Sequence, residues 1–198
     1  NSTEVGDDSK KIHVVTIATT GDAVKFGELI TARNAHAGCS NSTRGLVFCG
    51  QESPGGGNLN SIEFFELASE GNAVDFGDAS ATKDYLGACA SSTRAMCGGG
   101  QTPTKLNVIE FVTIATTGNA QDFGDSTTPQ TTQNQGTASN STRGLFFGGY
   151  SSPANPSNST PHIHYINFNT KGDSVNFGDL TVASGGCGGH CDTHGGLQ

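Results

Sequence analysis

The sequence predicts an all-β fold, a small β-propeller of four four-stranded blades, and three observations carry that prediction. A Phe-Gly pair recurs four times, at Phe26-Gly27, Phe76-Gly77, Phe123-Gly124 and Phe177-Gly178, with spacings of 50, 47 and 54 residues. A repeat of this length sets the architecture before any local reading does. Each unit holds four short β-favouring runs and no helix-length periodic segment, the makeup of one propeller blade. The termini also fall at nearly the same repeat phase, as ring closure needs. Asn1-Ser2-Thr3 begins like the NSTRG block, and DTHGGL at 192–197 aligns with NSTRGL. That phase match equally suits a segment of a longer array, so a β-solenoid or open repeat array is the alternative.

Taken in order, each unit opens with a long strand, at residues 12–18, 62–68, 109–115 and 163–168, rich in β-branched and aromatic residues. Along it Ile62 and Phe64 point one way and Phe65 and Leu67 the other, as Ile12 and Val14 oppose Val15 and Ile17. Both faces are apolar, so neighbouring units must cover the strand on both sides. Hairpin turns are expected at Gly21-Asp22, Gly71-Asn72, Gly118-Asn119 and Gly172-Asp173, because these residues tolerate left-handed backbone. A second strand ends at Phe-Gly. A linker then leads to two strands around the STRG block, the later one at 45–49, 95–97 or 144–147. Variable length is confined to ESPGGGNLNS, QTPTKLN and SSPANPSNSTPH, as expected of loops on one face of an array, often the binding face. Residues 1–198 thus read as a single repeat domain of four units.

Composition narrows the function. Only 33% of the residues are hydrophobic, 29 are glycine and none is Trp, which suits short strands and many turns better than one large core. With 14% charged residues, specificity must rest on shape and hydrogen bonds, carried by Ser, Thr, Asn and Gln. A net charge of −8 with ten basic residues argues against a nucleic-acid partner, and no run of apolar residues is long enough for membrane insertion as a helix. Asn1 is neither an initiator Met nor the start of a signal peptide, so the chain reads as processed or as part of a longer product.

Several repeated residues invite a functional reading beside a structural one. Arg44, Arg94 and Arg143 are either a ring of cations facing a ligand or forks that satisfy carbonyls or Asp residues of a neighbouring turn. Glu28, Asp78, Asp125 and Asp179 follow the four Phe-Gly pairs, and in a closed ring would converge on an axial cation such as Ca²⁺ or else cap turns. His13, Glu63, Glu110 and His164 share one position in the long strand, a set that would suit a transition metal only if the four met. Near the end, Cys187, His190, Cys191 and His194 have zinc-ligand chemistry, with a disulfide or simple burial as the other readings. Cys39, Cys89, Cys49 and Cys97 look like small buried strand residues. For a glycan or receptor, Tyr85, Tyr150, Asn155 and Asn158 are the aromatic and amide candidates. The NST triplets match the N-glycosylation pattern, but three belong to the repeat. A GxSxG elbow, a P-loop and a GxGxxG before a helix are all missing.

The paired glycines Gly98-Gly99-Gly100 and Gly148-Gly149, in four-stranded units of this size, resemble kelch-type propeller blades, without the kelch Trp. Over nearly the whole chain, NVIEFVTIATTGNAQDFGD followed by NSTRGLFFGG is similar to repeat proteins of marine tailed phages, cyanophages above all. That resemblance implies a non-enzymatic, tail-fibre-like structural protein of a virion or extracellular assembly, contacting other structural proteins, copies of itself or a host surface. It brings no cofactor and no catalytic residues. Two departures, Glu4 where the other units carry Arg and the altered end LTVASGGCGGHCDTHGG, suggest capping or closure. A glycan- or receptor-binding module for host attachment is the alternative function, and a propeller enzyme comes after it.

Overall fold

The computed structural model describes residues 10–126, 135–150 and 159–190. Every regular element among them is a strand, in the order β1 (Lys11–Val14), β2 (Val24–Glu28), β3 (Arg33–Asn34), β4 (Ala37–Ser40), β5 (Arg44–Phe48) and β6 (Gln51–Glu52). Then come β7 (Ser61–Glu66), β8 (Val74–Asp78), β9 (Asp84–Ala90), β10 (Arg94–Thr102), β11 (Thr104–Lys105) and β12 (Val108–Thr113). The last five are β13 (Gln121–Asp125), β14 (Gly136–Ser139), β15 (Arg143–Phe147), β16 (Thr160–Asn167) and β17 (Val175–Ser184).

These strands form five separate antiparallel sheets. The first pairs β1 with β2. The second runs β4-β5-β7-β8, the third β9-β10-β12-β13 with β11 on β10, and the fourth β14-β15-β16-β17. A two-residue ladder of β3 and β6 is the fifth. The STRG block makes a tight corner in three of them: the Asn41 and Asn140 Oδ1 atoms accept the backbone N–H groups of residues two and three places on, and Ser91 does the same with its hydroxyl.

The expected closed ring of kelch-like blades is not what forms. Among the described residues the row of sheets is open, with no ladder joining the first sheet to the fourth. The innermost strands pack side by side, β4 on β9 and β9 on β14, and the row ends there. At one end Ile17 is 99% exposed, and at the other Phe177 is 54% exposed. Equal repeat phase at the termini permits closure, but closure also needs the end sheets to bury each other, and among the described residues these do not; the segments expected to complete the ring, 1–3 and 192–197, lie outside the described residues.

The turn assignment is corrected as well. The chain reverses earlier, with Thr116 N–H donating to the Thr113 carbonyl and Thr170 N–H to that of Asn167. The glycines that follow are not hairpin tips; they lie against the preceding sheet. Gly71, Gly118 and Gly172 donate to the carbonyls of Phe26, Phe76 and Phe123, at 3.1, 2.7 and 2.8 Å. Approach this close explains the Phe-Gly repeat, because a Cβ on Gly27, Gly77 or Gly124 would collide with the backbone of Gly71, Gly118 or Gly172.

The core lies between sheets. Leu46, Phe48, Ile62, Phe64 and Phe76 of the second sheet meet Ala88, Ala90, Val112 and Ile114 of the third. Cys89, Met96, Phe111 and Phe123 of the third meet Phe146, Ile166 and Phe168 of the fourth. Within the second and third sheets the long-strand aromatic meets the Phe of Phe-Gly edge-on, with ring centroids 5.7 Å apart for Phe64–Phe76 and 5.9 Å for Phe111–Phe123.

The variable loops are ordered where described. Asn58 reaches from the first loop to the Gln101 carbonyl at 3.2 Å, and Lys105 in the second loop donates to the Tyr150 carbonyl at the start of the third.

Candidate functional site

The first strand of each full sheet has a partner on one side only, so the backbone groups of its other edge face away from the sheet. Three such edges, β4, β9 and β14, converge. Small residues let them do so: Gly38, Ser40, Ala88, Ala90, Ala138 and Ser139 line a cleft of about 260 Å³, with Gly189 and His190 on its remaining side. An adjoining hollow of about 330 Å³ is bounded by His36, Gly87, Gln135, Thr137 and the 186–189 segment.

Hydrogen bonds between neighbouring edges fix the walls. Thr137 Oγ1 donates to the Ala88 carbonyl at 2.6 Å, Ser139 Oγ to that of Ala90 at 2.8 Å, and Tyr85 N–H to that of Ala35 at 2.8 Å. Among the described residues no Asp, Glu, Lys or Arg lines the cleft. His36 retains accessible surface, yet the surrounding protein desolvates its ring and the nearby Arg33 charge adds to this, so its pKa lies below the usual imidazole range.

The other candidate residues lie in separate places. Arg44 and Arg94 each reach into the next sheet: Arg44 Nη1 donates to the Ile114 carbonyl at 2.8 Å, and Arg94 Nη1 to that of Phe168. Each guanidinium also lies over a ring of its own sheet, Arg44 at 4.6 Å from Phe64 and Arg94 at 4.8 Å from Phe111. Arg143 stacks on Tyr165 at 4.7 Å but is exposed, with no acceptor for its guanidinium among the described residues. The three lie on three successive sheets and form no ring.

Glu28, Asp78 and Asp125 end the Phe-Gly strands of three sheets, Asp179 lies within the longer β17 of the fourth, and the four do not meet. The backbone N–H groups of the first three donate to Asn72, Asn119 and Asp173 Oδ1 of the next sheet, at 3.0, 3.0 and 2.9 Å. Asp179 lies 2.8 Å from His162 Nδ1, and Glu28 pairs with Lys25, whose hydrogen bond and charge lower the carboxylate pKa.

The long-strand set does not gather either. Glu63 and Glu110 are buried, each paired with a buried cation from the linker that leads into its own sheet, Arg33 and Lys83. Glu63 also accepts the N–H groups of Ile30 and Thr31, and Glu110 that of Ser80, so the carboxylate latches the linker to the strand. Burial would raise the Glu110 pKa, but Lys83 outweighs it and the carboxylate stays below its usual range. His13 is exposed and His164 is buried beside Phe146 and Ile109.

In the last segment Cys187 Sγ lies 3.5 Å from the Ser184 carbonyl and packs against Gly148, while His190 turns to the cleft. Cys191, His194, Asn155 and Asn158 lie outside the described residues. Among the described residues no three His, Cys, Asp or Glu side chains gather at one point. Burial pushes the Cys97 thiol up to about 11 and raises that of Cys49 further, so both stay protonated in the core. Tyr85 sits at a positive φ of 54° with its backbone tied to Ala35, and the Tyr150 ring packs on Gly185.

Sequence reasoning missed two things. Arg33 and Lys83 carry a readable signal, a cation seven residues after Phe26 and Phe76. The small residues of the cleft carry none, since Gly, Ala and Ser are common throughout this chain. No family model matches the sequence, and a search of curated proteins finds no match either.

Proposed function

We propose that this chain is a non-catalytic binding module that holds a neutral, hydroxyl-rich ligand of the glycan class along its inner sheet edges. The observation that carries this reading is the cleft where β4, β9 and β14 converge. Its walls are backbone amides and carbonyls of edge strands, hydroxyls and small side chains, without a fixed charge. A sugar presents matching donors and acceptors. The volume of about 260 Å³ is close to the lower bound of about 300 Å³ for small-ligand clefts and suits a sugar of one or two rings. The paucity of charge along the chain fits the same recognition mode, in which geometry supplies specificity.

The test is calorimetric titration with a panel of neutral mono- and oligosaccharides, on the wild type and on Gly38→Leu. A Cβ at Gly38 meets only the Leu46 carbonyl at 3.4 Å, so the larger side chain enters the cleft without displacing backbone. Binding by the wild type, weakened about tenfold or more in Gly38→Leu, supports the reading. Absence of binding across the panel, or equal affinity in the variant, overturns it.

A further inference from the structure

Three successive junctions join the four main sheets, and all use the same hydrogen bonds. The Phe-Gly strand of one sheet offers two carbonyls and one N–H to the next. The next sheet answers with a docking segment. Gly71, Gly118 and Gly172 donate to the Phe carbonyls; Ala73, Ala120 and Ser174 donate to the carbonyls of Glu28, Asp78 and Asp125, each at 2.8 Å. An Asn or Asp Oδ1 in that segment takes the acidic residue's N–H. At the last two junctions two apolar residues of the long strand also bury themselves behind the segment, whereas at the first Leu67 stays 40% exposed. The buried pairs are Val112 and Ile114 at 3% and 0% exposure in the third sheet, and Ile166 and Phe168 at 2% and 1% in the fourth. An arginine from the preceding sheet caps the second of them by bonding its carbonyl.

The two ends of the row carry the two halves of one more such junction. At the first sheet the docking half stands open. Val15 and Ile17, which align with Val112 and Ile114, are 56% and 99% exposed. At the fourth sheet the receiving half stands open. Phe177 is 54% exposed where its counterparts Phe76 and Phe123 are 2% and 3%, and nothing approaches the Cβ position of Gly178. Arg143, the counterpart of Arg44 and Arg94, is exposed beside it.

We infer that a second copy of this chain docks head to tail, its first sheet continuing the row from the fourth sheet of the copy before it. The register follows from the three internal junctions. Gly21 N–H donates to the Phe177 carbonyl, Ala23 N–H to that of Asp179, Asp179 N–H to Asp22 Oδ1, and the Arg143 guanidinium to the Ile17 carbonyl. Such a contact is heterologous: each copy uses one surface to give and another to receive. The product is a ring of copies or a filament, according to the rotation per copy.

Sedimentation velocity over a range of concentrations tests this, with circular dichroism to confirm that each variant is folded. The wild type is expected to gain mass with concentration. Ile17→Asp changes a side chain that is 99% exposed in the single chain, and Phe177→Ser changes the opposite end. Each alone is expected to raise the concentration of half-association about tenfold or more. Each variant keeps one intact end, so an equimolar mixture of the two should form a dimer and go no further. A wild type that stays monomeric throughout, whether closed on itself or capped by another molecule, overturns the inference, as does a mixture that stays monomeric. Sugar binding by a monomeric wild type would leave the proposed cleft standing without the assembly, so the two readings fail separately.

Discussion

The third and fourth sheets occupy equivalent places in the repeat, yet they use two of its positions differently. In the third, Glu110 is buried against Lys83 and latches the incoming linker. In the fourth the same position is His164, a desolvated ring beside Phe146 and Ile109. In the third, Arg94 is clamped to the Phe168 carbonyl, whereas in the fourth Arg143 lies exposed over Tyr165. The first difference shows that a buried ion pair is one solution to a buried long-strand position, and that a neutral ring serves there too. Desolvation of both charges offsets much of their attraction, so the repeat loses little by replacing them together. The second shows that a conserved-looking residue of a repeat acts only where a neighbour completes its contact.

The sharpest way to break the comparison is to remove one charge of the third sheet. Glu110→Ala leaves Lys83 buried without its carboxylate and Ser80 N–H without its acceptor, and should cost roughly 3–5 kcal/mol. The double variant Lys83→Met, Glu110→Leu removes both charges and should recover most of that loss, to within about 1 kcal/mol of the wild type. Urea denaturation of the three proteins checks both numbers. If the double variant is as unstable as the single one, the pair contributes beyond charge balance and the third and fourth sheets are not equivalent solutions.

A smaller effect separates the two arginines. Arg94→Ala removes a buried carbonyl bond and a cation–π contact and should cost about 1–3 kcal/mol. Arg143→Ala, at dilutions where the chain is monomeric, should stay within about 0.5 kcal/mol of the wild type. Equal losses in the same denaturation assay would mean that Arg143 has a partner like that of Arg94.

The smallest expected effect belongs to His164. Burial lowers its pKa below the usual imidazole value of 6.5, with His162 adding to the shift and Asp179 opposing it. A depressed histidine gives stability that is complete above the unfolded-state pKa and is lost as pH falls through the folded-state value. Between pH 7.5 and 5.5 the wild type should therefore lose stability, and His164→Gln should lose less. His36, depressed in the same direction, accounts for part of the remaining loss, while Lys83 holds the Glu110 carboxylate below its usual range. A variant that tracks the wild type across the two pH values would show that His164 does not carry the dependence.

The sequence by itself determined the repeat, the all-β character, and the need for cover on both faces of the long strand. Those are properties of spacing and of alternating apolar residues, written within a few positions of one another. The Phe-Gly pairs were legible as markers, though not as the places where the next sheet's backbone comes close enough to exclude a Cβ. Only the tertiary structure decided that the row is open among the described residues, because closure depends on whether distant end sheets bury each other, and repeat phase does not encode that. It also decided which of two readings each repeated residue takes. Arg94 and Arg143 are identical in sequence and differ only in whether a sheet lies beyond them. The cleft is likewise invisible in the chain: it exists because three edge strands, some fifty residues apart, carry small side chains where they meet.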